Sequence, residues 1–259
     1  MFSTALTIAG SDPSGGAGLQ ADLKTFHQRK VYGMAVLTLW TVQNTKGVKS
    51  VRVLRPSDVL AQLDAVLEDI RPGAVKTGAL GNASVIRALA ERFRVLKYPL
   101  VLDPVMISKH GARLLERNAV QTLKKELIPC ATLVTPNLPE AELLTGLNIR
   151  DIGGMKTAAR QILRLGPRAV LIKGGHLQGA APDVFCDARR LTVLAGRRVS
   201  TKHTHGTGCT YSACVAAELA KGSEVLSAVR IAKRFISKAI RTSPGLGKGS
   251  GPVNHFAEV

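Results

Sequence analysis

Aromatic residues are scarce in this chain, at 4% of 259 residues, with a single tryptophan. That removes the stacking platforms on which single-stranded nucleic-acid binders depend. Cysteine is scarce too. The four present (Cys130, Cys186, Cys209 and Cys214) form no CxxC pair and no disulfide framework. His203, His205 and Cys209 lie close together but lack the spacing of a zinc finger. No apolar run approaches the ~18 residues of a membrane span. The first residues, MFSTALTIAGSDPSGG, lack the basic start and long apolar core of a secretory leader. The expectation is a cytoplasmic protein with no membrane partner.

Acidic residues are also few, 18 against 36 lysines and arginines, for a net charge of +18. An excess of this size raises the question of a nucleic-acid partner. The basic residues are dispersed, however, clustering only in pairs such as Lys124-Lys125, Arg189-Arg190 and Arg197-Arg198. No nucleic-acid module accompanies them. A solvated basic surface is the expectation, and nucleic acid is not expected as a partner.

What the chain does have is a regular alternation of short apolar runs and helical patterns. Strands are expected at Ala5–Ala9, Met34–Leu39, Ala74–Thr77, Leu100–Val105, Thr132–Thr135 and Ala169–Ile172. Helical periodicity covers Ser57–Ile70, Asn82–Val95, Glu116–Leu127, Leu138–Thr145, Met155–Leu165, Cys209–Ala220 and Glu224–Ile240. Strands separated by helices predict βαβ units and a mainly parallel sheet covered on both faces. Asp183–Ser200 breaks the rhythm and predicts an antiparallel hairpin at one edge. With no repeat or linker, one α/β domain over 1–259 is expected. Ligands of such sheets sit beyond the carboxyl ends of the strands.

The polar motifs fall at those ends. Gly10 to Gly18 follows the first strand, and Gly16-x-Gly18-x-x-Ala21 matches the dinucleotide fingerprint formally. The acid that fingerprint needs about 20 residues on is missing. No Asp or Glu occurs between Asp22 and Asp58, so NAD is not expected. The segment is either a tight turn or a close backbone approach to something small, with Asp22 beyond it as a hydrogen-bonding acid. Gln43 and Asn44, after the second strand, are bifunctional amides suited to a heterocycle edge. Asp103, at a strand end in VLDPVM, suits a hydrated Mg²⁺. Asn137 and Glu140 open a helix three residues apart. Either the acid complements the helix terminus, or it supports a magnesium ion. Lys173 in IKGGH is placed to meet a phosphate chain. GTGC (206–209) opens a helix whose bare N–H groups and positive end form an anion site. Magnesium ligands, a lysine and an anion hole are together the ingredients of phosphoryl transfer.

With these residues assembled, the sequence resembles the hydroxymethylpyrimidine/phosphomethylpyrimidine kinases, members of the ribokinase-like superfamily. ALTIAGSDPSGGAGLQADLKTF, VQNT, VKTGAL, VLDPVM, TPNLPEAELL, KGGHL, THGTGCT and GPVNHF carry the resemblance across essentially the whole chain. It implies a three-layer α/β/α sandwich, a homodimer, and use of ATP and Mg²⁺. The implied reaction is phosphorylation of 4-amino-5-hydroxymethyl-2-methylpyrimidine, then of its monophosphate. By position it implies that Gln43 pairs with the pyrimidine edge and that Gly10, Asp22, Val105 and the Ala17 region line its pocket. Asp103, Asn137 and Glu140 organise magnesium and phosphates, Asp103 and Glu140 as metal ligands partly through water. Lys173 neutralises the transferring group, and Gly206, Thr207, Gly208 and Cys209 form the anion hole. Ala79, His203 and Tyr211 depart from the family pattern, where methionine, asparagine and leucine are frequent.

The expected chemistry is in-line attack of the substrate hydroxyl, with Cys209 taking or orienting its proton. A helix N-terminus lowers a thiol pKa from its ordinary ~8.5, and such a lowering is expected here. Three rival readings have distinct marks. A pyridoxal or pyridoxine kinase shares the scaffold, a cysteine acyltransferase would pair Cys209 with His205, and a nucleic-acid binder would use the basic surface.

Overall fold

The structure, a computed structural model, describes residues 2–109 and 111–259. Its central sheet contains β1 (Thr4–Ser11), β2 (Tyr32–Asn44), β3 (Gly47–Val53), β4 (Ala74–Thr77), β5 (Leu100–Leu102), β6 (Leu133–Val134), β7 (Ala169–Lys173), β8 (Asp183–Asp187) and β9 (Leu191–Leu194). The spatial order is β3-β2-β1-β4-β5-β6-β7-β8-β9. From β2 to β7 the pairings are parallel, and β3, β8 and β9 add on antiparallel at the two edges.

Period-2 alternation places the sheet's side chains on two faces. Leu6 and Ile8 of β1 join one core with Val75, Leu100, Leu102, Val170 and Ile172. Ala5, Ala74, Val101, Leu133 and Leu171 face the other. The first core is covered by α2 (Pro56–Asp69), α3 (Ala83–Val95), α4 (Ala119–Thr122, continued by a π-helical turn over Leu123–Leu127), α5 (Leu138–Thr145) and α6 (Ile152–Leu163). The second is covered by α1 (Gly18–Gln28), α7 (Thr207–Ala220) and α8 (Val225–Arg241). In α8 the buried Leu226, Val229, Ala232, Phe235, Ile236 and Ala239 recur every three or four residues and form one apolar stripe. The three-layer sandwich and the β8–β9 edge hairpin are as expected.

The other edge differs from expectation. β2 runs on to Asn44, so TVQN lies within the strand and not beyond it, and β3 turns back to pair with it. Lys49 and Arg52 interrupt the apolar pattern of GVKSVRV, and the strand is largely solvated, which hides it from an apolar-run search. The chain leaves β1 toward β2 and β3, then returns to β4 on the other side. That reversal opens a crevice beyond β1 and β4, the place where such sheets bind ligands.

Candidate active site

The strand ends bring the polar motifs together. Gly10 is the penultimate residue of β1, Lys76 lies in β4, Asp103 follows β5, Asn137 follows β6 and Lys173 closes β7. All five line one cavity of about 640 Å³, together with Gln43, Val105, Glu140 and the first turn of α7. A cavity of this volume is of small-molecule size.

Asp103 and Lys173 form its electrostatic centre. Asp103 Oδ1 accepts from Lys173 Nζ at 2.8 Å and from Thr135 Oγ1 at 3.2 Å, and Oδ2 accepts from Ser212 Oγ at 3.3 Å. Burial alone would lower the Lys173 pKa, but the carboxylates of Asp103 and Glu140 raise it, so the ammonium stays charged. Asn137 and Glu140 form a reciprocal cap on α5. Asn137 Oδ1 accepts from the Glu140 N–H at 2.9 Å, and Glu140 Oε2 accepts from the Asn137 N–H at 2.8 Å. The acid thus complements the helix terminus, and the same side chain also lines the cavity. Burial pushes its carboxyl up to about 7, with Lys173 opposing and Asp103 reinforcing the shift. Among the described residues, no group of three or more His, Cys, Asp or Glu is placed to hold a metal. Two carboxylates without a closed cage suit Mg²⁺, which keeps waters and shares phosphate oxygens.

Opposite them arrives the bare end of α7. Its N-cap, Gly206, has φ of +76°. A Cβ there would stand 1.7 Å from the Gly16 carbonyl oxygen, so only glycine fits. A Cβ on Gly208 would lie 3.2 Å from Lys173 Nζ and 3.5 Å from Asp103 Oδ2. The first turn thus faces the ion pair directly. The Thr207 N–H donates to the Thr204 carbonyl at 3.3 Å, those of Gly208 and Cys209 meet no helical acceptor, and the helix end carries partial positive charge.

Two expectations are corrected. Asp22 does not line the cavity. It is fully buried on α1, accepting from Thr7 Oγ1 at 2.6 Å and Lys76 Nζ at 2.8 Å. Lys76 takes its place at the cavity floor, where the Asp22 charge outweighs burial and keeps the ammonium protonated. Asp22 therefore reaches the site only through Lys76. The second correction concerns Cys209. It lies in the cavity as expected, but burial pushes its thiol up to about 11. Lys76 and the Gly18 backbone offset that only in part, and the Asp22 and Asp103 carboxylates reinforce it.

Gln43 lines the cavity, whereas Asn44 is exposed and its Oδ1 accepts from the Lys46 N–H in the turn at 2.9 Å. Sequence reasoning missed Asp12. Its carboxylate accepts from the N–H groups of Ser14, Gly16 and Ala17, at 2.8, 3.2 and 2.9 Å, which shapes the glycine loop. Burial by itself would raise its pKa, but the hydrogen bonds of His205 and Ser14 hold it well below the usual carboxylate range. His205 Nε2 lies 2.7 Å from Asp12 Oδ2, so that nitrogen is committed to Asp12 and not to Cys209. Asp183 was also missed. It accepts from Gly174 N–H at 3.0 Å, Tyr211 Oη at 2.9 Å and Lys233 Nζ at 2.7 Å, tying the Lys173 turn to α7 and α8. A signal existed for Lys76, a charge inside the apolar strand AVKT. Asp12 carried the Asx-turn signature Asp-Pro-Ser-Gly.

A doubly covered sheet with a lysine–carboxylate pair facing a bare helix end, over a small-molecule cavity, defines a phosphotransferase for small substrates. The family model described as phosphomethylpyrimidine kinase matches residues 12–254. A hydroxymethylpyrimidine/phosphomethylpyrimidine kinase of Synechococcus elongatus is 47% identical over 254 residues, covering 97% of each chain. The phosphomethylpyrimidine kinase of Clostridium difficile 630 superposes with a TM-score of 0.81 at 45% identity, over 92% of this chain and 99% of that one. An ADP complex of Bacillus subtilis pyridoxal kinase gives 0.89 at 41%, over 98% of each. The chain belongs to the phosphomethylpyrimidine kinase family. It is a kinase of ribokinase-like fold.

The Gly206 contact yields a direct test. Gly206→Ala is expected to lower kcat at least a hundredfold by displacing the first turn of α7, a size typical of losing one oxyanion donor. Steady-state kinetics on the folded variant check it, and a loss below about threefold would show that the turn's position does not matter.

Proposed function

We propose that the chain transfers the γ-phosphoryl group of ATP to the hydroxymethyl group of 4-amino-5-hydroxymethyl-2-methylpyrimidine, and then phosphorylates that monophosphate to the diphosphate. The observation that carries this reading is the meeting of Gln43, Lys173 and the first turn of α7 in one cavity. Gln43 offers an amide donor and acceptor to the aminopyrimidine edge, and Gly10, Ala17 and Val105 line the ring's pocket. The Asp22–Lys76 pair supports its floor.

Lys173 and the N–H groups of residues 208 and 209 hold the transferring group and stabilise charge on its equatorial oxygens. Asp103 and Glu140 would hold Mg²⁺, with Asn137 fixing Glu140 through the cap. The ion, when bound, neutralises charge on the β- and γ-phosphate oxygens. The reaction is proposed to occur in the cytoplasm, where ATP is available and the four free cysteines stay reduced. A homodimer fits the β2 face, where Trp40 and Val42 are 43% and 44% exposed, two residues apart.

A second reading keeps the reaction and changes the ring. Ala79 leaves room in the cavity wall, and the superposed Bacillus subtilis structure is a pyridoxal kinase. Comparing kcat/KM for the two alcohols separates them. The pyrimidine alcohol is expected to be preferred at least tenfold, and the reverse preference would reassign the substrate.

Cys209 supplies the proton step in its minor thiolate form. Because the thiol pKa is raised to about 11, the thiolate fraction grows about tenfold per pH unit between 7 and 10. kcat/KM for the alcohol should climb through that range without a plateau. The second phosphorylation should stay flat, because a phosphate monoester is already ionised near neutral pH. Cys209→Ala should cost the first step roughly a hundredfold or more, a usual general-base contribution, and largely spare the second. Equal losses, or a plateau below pH 8, would contradict this role.

A further inference from the structure

The terminal motif GPVNHF has no place in the chemistry above, and the structure shows what it touches. After α8 the chain runs back across the molecule and joins two parts of the site. At one end it meets the β2–β3 turn. The Gly249 N–H donates to Thr45 Oγ1 at 3.2 Å and the Ser250 N–H to the Thr45 carbonyl at 2.8 Å. At the other end it runs beside the loop that leads into α7. Ser250 Oγ donates to the Lys202 carbonyl at 2.8 Å, and the Gly251 N–H donates to His203 Nδ1 at 3.2 Å. The His205 N–H then donates to the Gly251 carbonyl at 3.0 Å, and the Val253 N–H to the His205 carbonyl at 3.3 Å. Farther on, His255 Nε2 lies 3.1 Å from Thr210 Oγ1 in the first turns of α7. Gly251, Val253 and His255 are buried. A Cβ on Gly251 would fall 2.5 Å from His203 Nδ1, so the approach is closed to larger residues.

The two parts so joined are the substrate side and the phosphate side. Thr45 is two residues past Gln43, and His205 immediately precedes Gly206. The hairpin tip needs such a tie. β3 is an edge strand, and the β2–β3 register shifts between Val42 and Gln43, at the recognition residue itself. A two-stranded edge with a bulge is held weakly by its own ladder. In-line transfer, by contrast, requires the attacking oxygen and the phosphorus to meet at roughly 3–3.5 Å.

We propose that residues 249–255 form a strap that keeps the Gln43 turn and the α7 anion loop in register, with His203 and Thr45 as its positioning residues. None of residues 249–255 lines the cavity. The strap acts on the step in which both substrates must align, so its loss should lower kcat without weakening either substrate alone. The inference rests on the phosphoryl-transfer reading above.

The test compares His203→Ala, His203→Asn and Thr45→Val in the full chain with wild type. kcat is measured for the pyrimidine alcohol with ATP. Separate calorimetric titrations give Kd for the alcohol and for a non-hydrolysable ATP analogue. His203→Ala and Thr45→Val should each lower kcat about tenfold, as expected for a small misplacement, with both Kd values within about twofold of wild type. His203→Asn, which restores an acceptor for the Gly251 N–H, should recover most of the rate. Unchanged kcat in both disrupting variants overturns the strap, as does a loss that merely tracks the folded fraction or weakens each substrate separately. A wild-type enzyme with no turnover of either alcohol would instead remove the proposed reaction, and the strap's role with it.

Discussion

The Gly16 carbonyl oxygen occupies the space that a side chain on residue 206 would need, 1.7 Å from where its Cβ would stand. That single contact sets how closely α7 approaches the strand ends, and most of the site follows from it. With glycine in a left-handed conformation at the N-cap, the first turn can face the Lys173–Asp103 pair with no side chain between. The glycine loop on the other side of the contact is shaped by Asp12, whose carboxylate gathers three N–H groups and His205. The start of α7 is thus a junction of two loops, each fixed by the other's backbone.

Buried charge gives the site its rigidity. Asp22 and Lys76 are both fully buried, and Lys173 and Asp103 nearly so. Removing one member of such a pair costs about 3–5 kcal/mol, because the remaining charge stays unpaired. The pairs therefore specify one arrangement of strand ends more than they add net stability. Glu140 is less well supported, since burial pushes its carboxyl up to about 7 against the opposing charge of Lys173.

Much of this was legible in the sequence, for a reason that also marks the limit. Asp103 and Lys173 stand at the ends of apolar runs, which a parallel sheet places on one side, and GTGC opens a helix. The family resemblance puts Asp22 in the pocket wall, but neither it nor spacing reports which way a helical residue faces, and Asp22 bonds Thr7 and Lys76 instead. Nor does a local rule anticipate desolvation. The helix terminus at Cys209 is real, but the walls that bury the thiol come from distant segments, and burial prevails. The Asp12–His205 bond spans 193 positions and the strap reaches from residue 249 to Thr45. Neither leaves a periodic trace. β3 escaped because an exposed edge strand need not be apolar.

The central claim is that the phosphoryl group passes between Lys173 and the bare first turn of α7. The most direct measurement is a crystal structure with ADP, aluminium fluoride and the pyrimidine alcohol, a mimic of the transferring group. The account predicts fluorides within hydrogen-bond distance of the N–H groups of residues 208 and 209 and of Lys173 Nζ, with the hydroxyl in line on the Gln43 side. A fluoride group bound away from that turn, with the alcohol's hydroxyl pointing elsewhere, would contradict it.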